Sequence, residues 1–198
     1  KELENNILSG LILVVVVLFL FLGWTNSFFV GSAIPFSMFI TFMVLHAMGI
    51  TLNMVVLFSL ILALGMLVDN GIVVVENIYR HRGMGMSRRE AALVATQQVA
   101  APVISSTLTT VCAFAPLIFW PGIMGEFMKY LPITVIVSLC ASLFVALVIN
   151  PVLCSTLMKV PQASRPGHAR LGDRLMAFGL RSYEPTLRWA LARPLRTI

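Results

Sequence analysis

The stretch 52-LNMVVLFSLILALGMLVDNGIVVVENIYRH-81 decides how this chain is read, because an acid, Asp69, sits inside an apolar run as long as a membrane span. Between Leu52 and Val75 it is the one ionisable side chain, and the residue after it is an amide, Asn70. In lipid the backbone N–H and C=O groups find no water and pair along their own segment, so such a run is helical. A charge at that depth costs at least ~2.5 kcal/mol on insertion scales. Asp69 must therefore be neutral, paired or beside water.

Leu62, Gly65, Asp69, Ile72 or Val73, and Glu76 recur at three- and four-residue steps, which places them on one helical face. Gly65 is expected to let a neighbouring helix approach. Glu76 lies two turns nearer the basic loop, either anchored by Arg80, its i+4 neighbour, or serving as a proton entry point. An acid without a partner in such surroundings can load a proton and release it when a cation or water arrives. The structural alternative is that Asp69 is an interhelical hydrogen-bonding group, a task that Ser, Thr or Asn performs without an ionisation problem. No Lys or Arg lies in any apolar run, so a cationic partner for Asp69 is sought outside them. The run 105-SSTLTT-110 offers Ser105, Ser106, Thr109 and Thr110, enough hydroxyls to line a wet path or to satisfy their own i−4 carbonyls. Pro151, after Asn150, frees a carbonyl four residues earlier and bends its helix.

The whole chain agrees with a membrane reading. Of 198 residues 59% are hydrophobic and 11% charged, and mean hydropathy is +0.94. The net charge of +6 is no nucleic-acid footprint, because the basic residues cluster in 80-RHRGMGMSRRE-90 and from Lys159 onward. Cys112, Cys140 and Cys154 stand alone in apolar runs, without the spacing of a metal or redox site, and no cofactor is expected. Apolar segments at about 7–23, 27–49, 52–75, 102–120 and 131–157 predict an all-α integral membrane protein, a bundle of five transmembrane helices over 1–158. The opening segment lacks the basic flank and cleavage signal of a leader peptide, and the missing initiator Met points to a piece of a longer protein.

Arg80, Arg82, Arg88 and Arg89 in one loop, and the basic tail, mark the cytoplasmic side. The N-terminus is then periplasmic and the C-terminus cytoplasmic. Ser87 followed by Glu90 has the form of a capping box opening a helix that runs into the membrane, with Pro102 as a candidate bend. Trp24 and Trp120 lie at expected helix ends, where amphipathic rings favour the interface. Residues 159–198 read as a polar linker followed by an amphipathic cytoplasmic helix at about 175–195.

Together, 63-ALGMLVDNGIVVVENIYRH-81, 52-LNMVVLFSLILALG-65, 112-CAFAPLIFWPGIMGEFMKYLPIT-134 and 144-FVALVINPVLCSTLMK-159 resemble the resistance-nodulation-division (RND) exporters of the bacterial inner membrane, in their multidrug branch. The resemblance implies a twelve-helix parent in two pseudo-repeated halves, of which the five spans are helices two to six. It further implies a homotrimer, a periplasmic adaptor, an outer-membrane channel and lipid as partners, and an intramembrane Lys elsewhere in the parent that exchanges with the acid. In the drug-exporting branch two adjacent acids stand where this chain has Asp69 and Asn70. One carboxylate beside an amide carries a single proton and loses the repulsion of a coupled pair. The expected function is proton-driven efflux by antiport rather than enzymatic catalysis, with Asp69, Asn70 and Glu76 as proton-relay residues and Gly65 and Pro151 shaping the helices. Drugs, metals and lipids are all candidate cargo. The competing reading is a non-transporting scaffold or assembly subunit in which Asp69 is glue; a channel lined by 105–110 is a third.

Overall fold

The computed structural model describes the backbone of residues 2–158 together with 181, 183, 185 and 187–189, and side chains from Ser27 onward plus Ser9, Ile12, Leu13 and Val16. The chain forms α1 (Glu2–Ala47), α2 (Met54–Gly83), α3 (Arg88–Phe114), a 3₁₀ turn at Ala115–Phe119, α4 (Ile123–Met128), α5 (Tyr130–Phe144), a π turn at Val145–Ile149 and α6 (Asn150–Leu157). Four stretches within the described residues have the length and apolarity to cross a membrane: 27–47, 54–83, 88–119 and 123–157. The all-α expectation holds.

One difference concerns the first 47 residues. The sequence pattern separates spans at about 7–23 and 27–49, whereas the backbone is helical without interruption from Glu2 to Ala47. No Pro lies at 23-GWTNSF-28, and Gly23 takes helical geometry rather than a turn. At 46 residues the helix is about 69 Å long, more than twice a hydrocarbon core. Pro35 and Pro102 lie inside α1 and α3 without ending either helix.

Ends form where local chemistry stops a helix. Asn53 caps α2, its side-chain oxygen accepting from the Val56 N–H at 2.9 Å, and Arg80, His81 and Arg82 occupy the last turn, where the helix dipole favours cations. Ser87 caps α3 by accepting from the Glu90 N–H at 3.3 Å, the interaction expected from the sequence. Between the 3₁₀ turn and α5 the chain folds back sharply: a Cβ at Gly125 would sit 1.8 Å from the Trp120 carbonyl oxygen, so only glycine fits.

α2 is the central element, packing against α1, α3, α5 and α6. Its buried side chains Leu64, Val68, Val74, Val75 and Ile78 meet Phe29, Val30 and Ile34 of α1, Ala91, Ala92 and Ala95 of α3, and Cys154 of α6. Small residues at these contacts let helix axes approach, which matters in lipid, where apolar burial alone gives no preference for helix over lipid. The Ser142 hydroxyl donates to the Leu67 carbonyl at 2.7 Å, tying α5 to α2. The described tail residues 181, 183, 185 and 187–189 are helical and exposed; the rest of the expected linker and amphipathic helix lies outside the described residues, as does the Trp24 side chain.

Candidate functional site

Asp69 lies midway along the 30 residues of α2, roughly 20 Å of rise from either end. It is exposed, as are Phe58, Leu62, Gly65, Val73, Glu76 and Arg80, and these residues follow one another at three- and four-residue steps. α2 thus has one uncovered stripe, with Asp69 at its centre. Among the described residues no ion pair or hydrogen bond reaches Asp69. Glu76 shares the stripe, two turns on, and makes no ion pair with Arg80; an ion pair does form at the end of α4, between Lys129 and Glu126 at 2.5 Å.

Asn70 points elsewhere. One residue along a helix is a rotation of about 100°, which carries the amide from the stripe into the seam between α2 and α3. There it is 8% exposed, with its Oδ1 3.4 Å from the Thr107 hydroxyl. That hydroxyl has one proton and a better acceptor in the Val103 carbonyl at 2.9 Å. Asn70 Oδ1 is thus the longer, secondary acceptor of the Thr107 hydroxyl. Asn70 therefore reaches α3, and among the described residues no hydrogen bond joins it to Asp69.

Seven residues on, the pattern repeats. Glu76 is exposed on the stripe, and Asn77 donates from Nδ2 to the Ala95 carbonyl at 2.9 Å and to Gln98 Oε1 at 3.4 Å. Two acid–amide steps thus place both acids outward and both amides toward α3. Below them His81 Nδ1–H donates to the Asn77 carbonyl at 2.9 Å, Arg82 reaches the Met86 carbonyl, and Arg88 Nη1 donates to the Thr156 carbonyl at 3.0 Å, fastening α3 to α6.

The hydroxyl run divides by face. Thr107 is buried, whereas Ser105, Ser106 and Thr109 are exposed and Thr110 is half-buried. Ser106 donates to the Val103 carbonyl, Thr109 to Ser105 and Thr110 to Ser106, at 2.8–3.1 Å. Ser106, Thr109 and Thr110 thus spend their protons on carbonyls of their own helix.

Gly65 has nothing within 4 Å of where a Cβ would lie, so the described helices do not use the approach it allows. The close approach is at Gly71 instead, where a Cβ would stand 3.2 Å from Asn150 Nδ2 and 3.7 Å from Ala33 Cβ. Pro151 does mark an irregularity, the π turn immediately before it.

The sequence profile of the AcrB/AcrD/AcrF family matches residues 1–198, the full length. The chain belongs to that family. It is 34% identical over 192 residues to the multidrug resistance protein MdtC of Salmonella arizonae, covering 96% of this chain and 19% of that protein. The MdtC of Pectobacterium atrosepticum is also 34% identical and that of Klebsiella pneumoniae (strain 342) 33%, over the same shares. The resemblance to the multidrug branch of the RND exporters is thereby established. As a member of the AcrB/AcrD/AcrF family, the chain spans about a fifth of the length of the curated relatives it matches (19%). The approach of Gly71 to Asn150 is not expressed by helical periodicity. The available signal was a glycine in mid-helix, which generally has a packing reason.

Proposed function

We propose that this chain forms part of the membrane domain of a proton-driven efflux permease, in which Asp69 couples proton movement to export by antiport. The observation that carries the reading is the position of Asp69: mid-helix, at the centre of an uncovered stripe, with no partner among the described residues. If that stripe met lipid, a charged Asp69 would cost at least ~2.5 kcal/mol. A covering element that brings a cation removes the cost, and the family resemblance supplies one in an intramembrane Lys of the parent protein. Protonation of Asp69 from the periplasmic side releases that pairing and lets α2 move against the other half; release toward the cytoplasm resets it. Glu76, on the same stripe about 10 Å of rise nearer the basic loop, is the member of the proton relay on the cytoplasmic side of Asp69. Ser105, Ser106, Thr109 and Thr110 contribute a wet path once the stripe is covered.

One proton is carried per cycle at this site, since Asn70 cannot titrate. Moving it across ~100 mV supplies about 2.3 kcal/mol, to which the pH gradient adds. The N-terminus is periplasmic and the C-terminus cytoplasmic in the bacterial inner membrane, by the Lys/Arg bias. The working assembly is a homotrimer with a periplasmic adaptor and an outer-membrane channel, in contact with lipid. The relatives' names make drugs the first cargo class to assay, with metals and lipids beside them. The scaffold reading asks Asp69 to join helices, a task that Asn77 and Ser142 perform here while Asp69 faces away. The deciding experiment is Asp69→Asn in the full-length permease, reconstituted with an imposed pH gradient. Export should fall to the level of empty vesicles; export at the wild-type rate would sink the coupling role.

A further inference from the structure

Asn150 is fully buried, and both its Nδ2 and Oδ1 lack a hydrogen-bond partner. It stands where the π turn Val145–Ile149 passes into α6, and its backbone N–H reaches back five residues to the Val145 carbonyl. Pro151 has no N–H to give. The buried Ala146 carbonyl therefore has neither its α-helical donor, Asn150, nor its π-helical donor, Pro151. The wide turn holds one extra residue and so re-aims the following side chains by roughly 100°. This turns the Asn150 amide onto α2 at Gly71, two residues beyond Asp69, at a place where any larger side chain would meet it at 3.2 Å.

We propose that Asn150 is a positioning residue for the coupling site, a catch that gives α2 two defined seats. The inference rests on the reading that Asp69 couples protons. A residue of similar size without polar atoms would fill this seat at less cost, because an unpaired buried amide forfeits its hydration and gains nothing in return. Its polar atoms acquire a use when α2 shifts along α6. Backbone carbonyls of α2 have a second lone pair, as the Ser142 bond to Leu67 already illustrates, and the Asn70 amide is adjacent to the seat in sequence. In the present seat Asn150 is unpaired and α2 is held by Ser142; in the other, Asn150 pairs with α2 and compensates for the Asp69 interaction that is lost. π turns recur at functional sites, where the unpaired groups they create are put to use.

The test is Asn150→Leu in the full-length permease, with Asp69→Asn and Asn150→Thr alongside, each measured for yield, thermal midpoint and export as a function of external pH. Asn150→Leu should fold as well as wild type or better, yet lose at least about fivefold in export and displace the pH of half-maximal rate. Asn150→Thr, which restores a donor and an acceptor, should recover part of the rate and the wild-type pH profile. Wild-type rate and pH profile in Asn150→Leu, with Asp69→Asn inactive, would overturn the catch and leave the coupling reading standing. Normal export by Asp69→Asn would overturn both. Should Asn150→Leu fold poorly, Gly71→Ala is the substitute variant: it displaces the amide by a few tenths of an ångström, and a shifted pH profile at normal yield supports the catch while an unshifted one rejects it.

Discussion

The two faces of α2 differ both in the residue types they carry and in what meets them. Asp69–Asn70 and Glu76–Asn77 are acid–amide steps seven residues apart, and each step divides itself between the uncovered stripe and the α3 seam. Seven residues bring a helix almost back to the same bearing, so both acids share one face and both amides the other. Both amides meet α3 inside the bundle, Asn77 through two hydrogen bonds and Asn70 through one long contact at 3.4 Å. The acids are satisfied by nothing described here, although Asp69 is at the depth where an uncompensated charge is least tolerable. Adjacency in sequence does not put Asp69 and Asn70 on one face: Asn70 meets α3, and no described residue covers Asp69.

The sharpest way to break this comparison is to obstruct the stripe without touching the seam. A Cβ at the exposed Gly65 meets nothing within 4 Å among the described residues, so Gly65→Leu should preserve yield and helix content. Export by the full-length permease should nevertheless fall about tenfold or more, a ratio read directly as lost coupling. Normal export in that variant would mean the stripe faces lipid. Next in size is a change confined to the seam. Asn77→Leu strips the Ala95 carbonyl and Gln98 of their donor, and the thermal midpoint in detergent should report a loss of about 1–3 kcal/mol. An unchanged midpoint would remove the structural role given to the second amide.

Asn70→Asp sharpens the comparison further, because it puts a carboxylate on the seam rather than beside Asp69 on the stripe. Transport should persist with an altered pH profile, and the Thr107 contact should become pH-sensitive in stability as well; a profile superimposable on wild type would show that the 70 side chain does not communicate with the coupling site. The smallest effect belongs to Thr107→Val. Its hydroxyl proton already goes to Val103, so losing the long Asn70 contact should cost under about 1 kcal/mol in a thermal scan.

Much of the bundle was legible in the residues. The helix start at Ser87 followed from capping chemistry, the π turn falls just before Pro151, where a bend was expected, and the alignment of Gly65, Asp69, Val73 and Glu76 was predictable from 3.6 residues per turn; the Asn53 cap was not anticipated. Less legible was which glycine permits close approach. Gly65 and Gly71 look alike in a helical run, and only the position of Asn150 distinguishes them. The hydroxyl run 105–110 was likewise ambiguous, because Ser and Thr can bond to their own helix whatever face they occupy.

By itself the sequence determined that the chain is a helical membrane protein, that Asp69 is a single acid at mid-span and that no cation accompanies it within the apolar runs; hydropathy, backbone pairing in lipid and helical periodicity are local properties and can be read from one strand of text. Tertiary structure alone decided that Asn70 belongs to the α3 seam while Asp69 does not, and that Asn150 comes to rest against Gly71. Those assignments depend on which helix covers which face, and on one extra residue in a π turn. They are set by packing between segments far apart in the chain, which periodicity within a single helix cannot express.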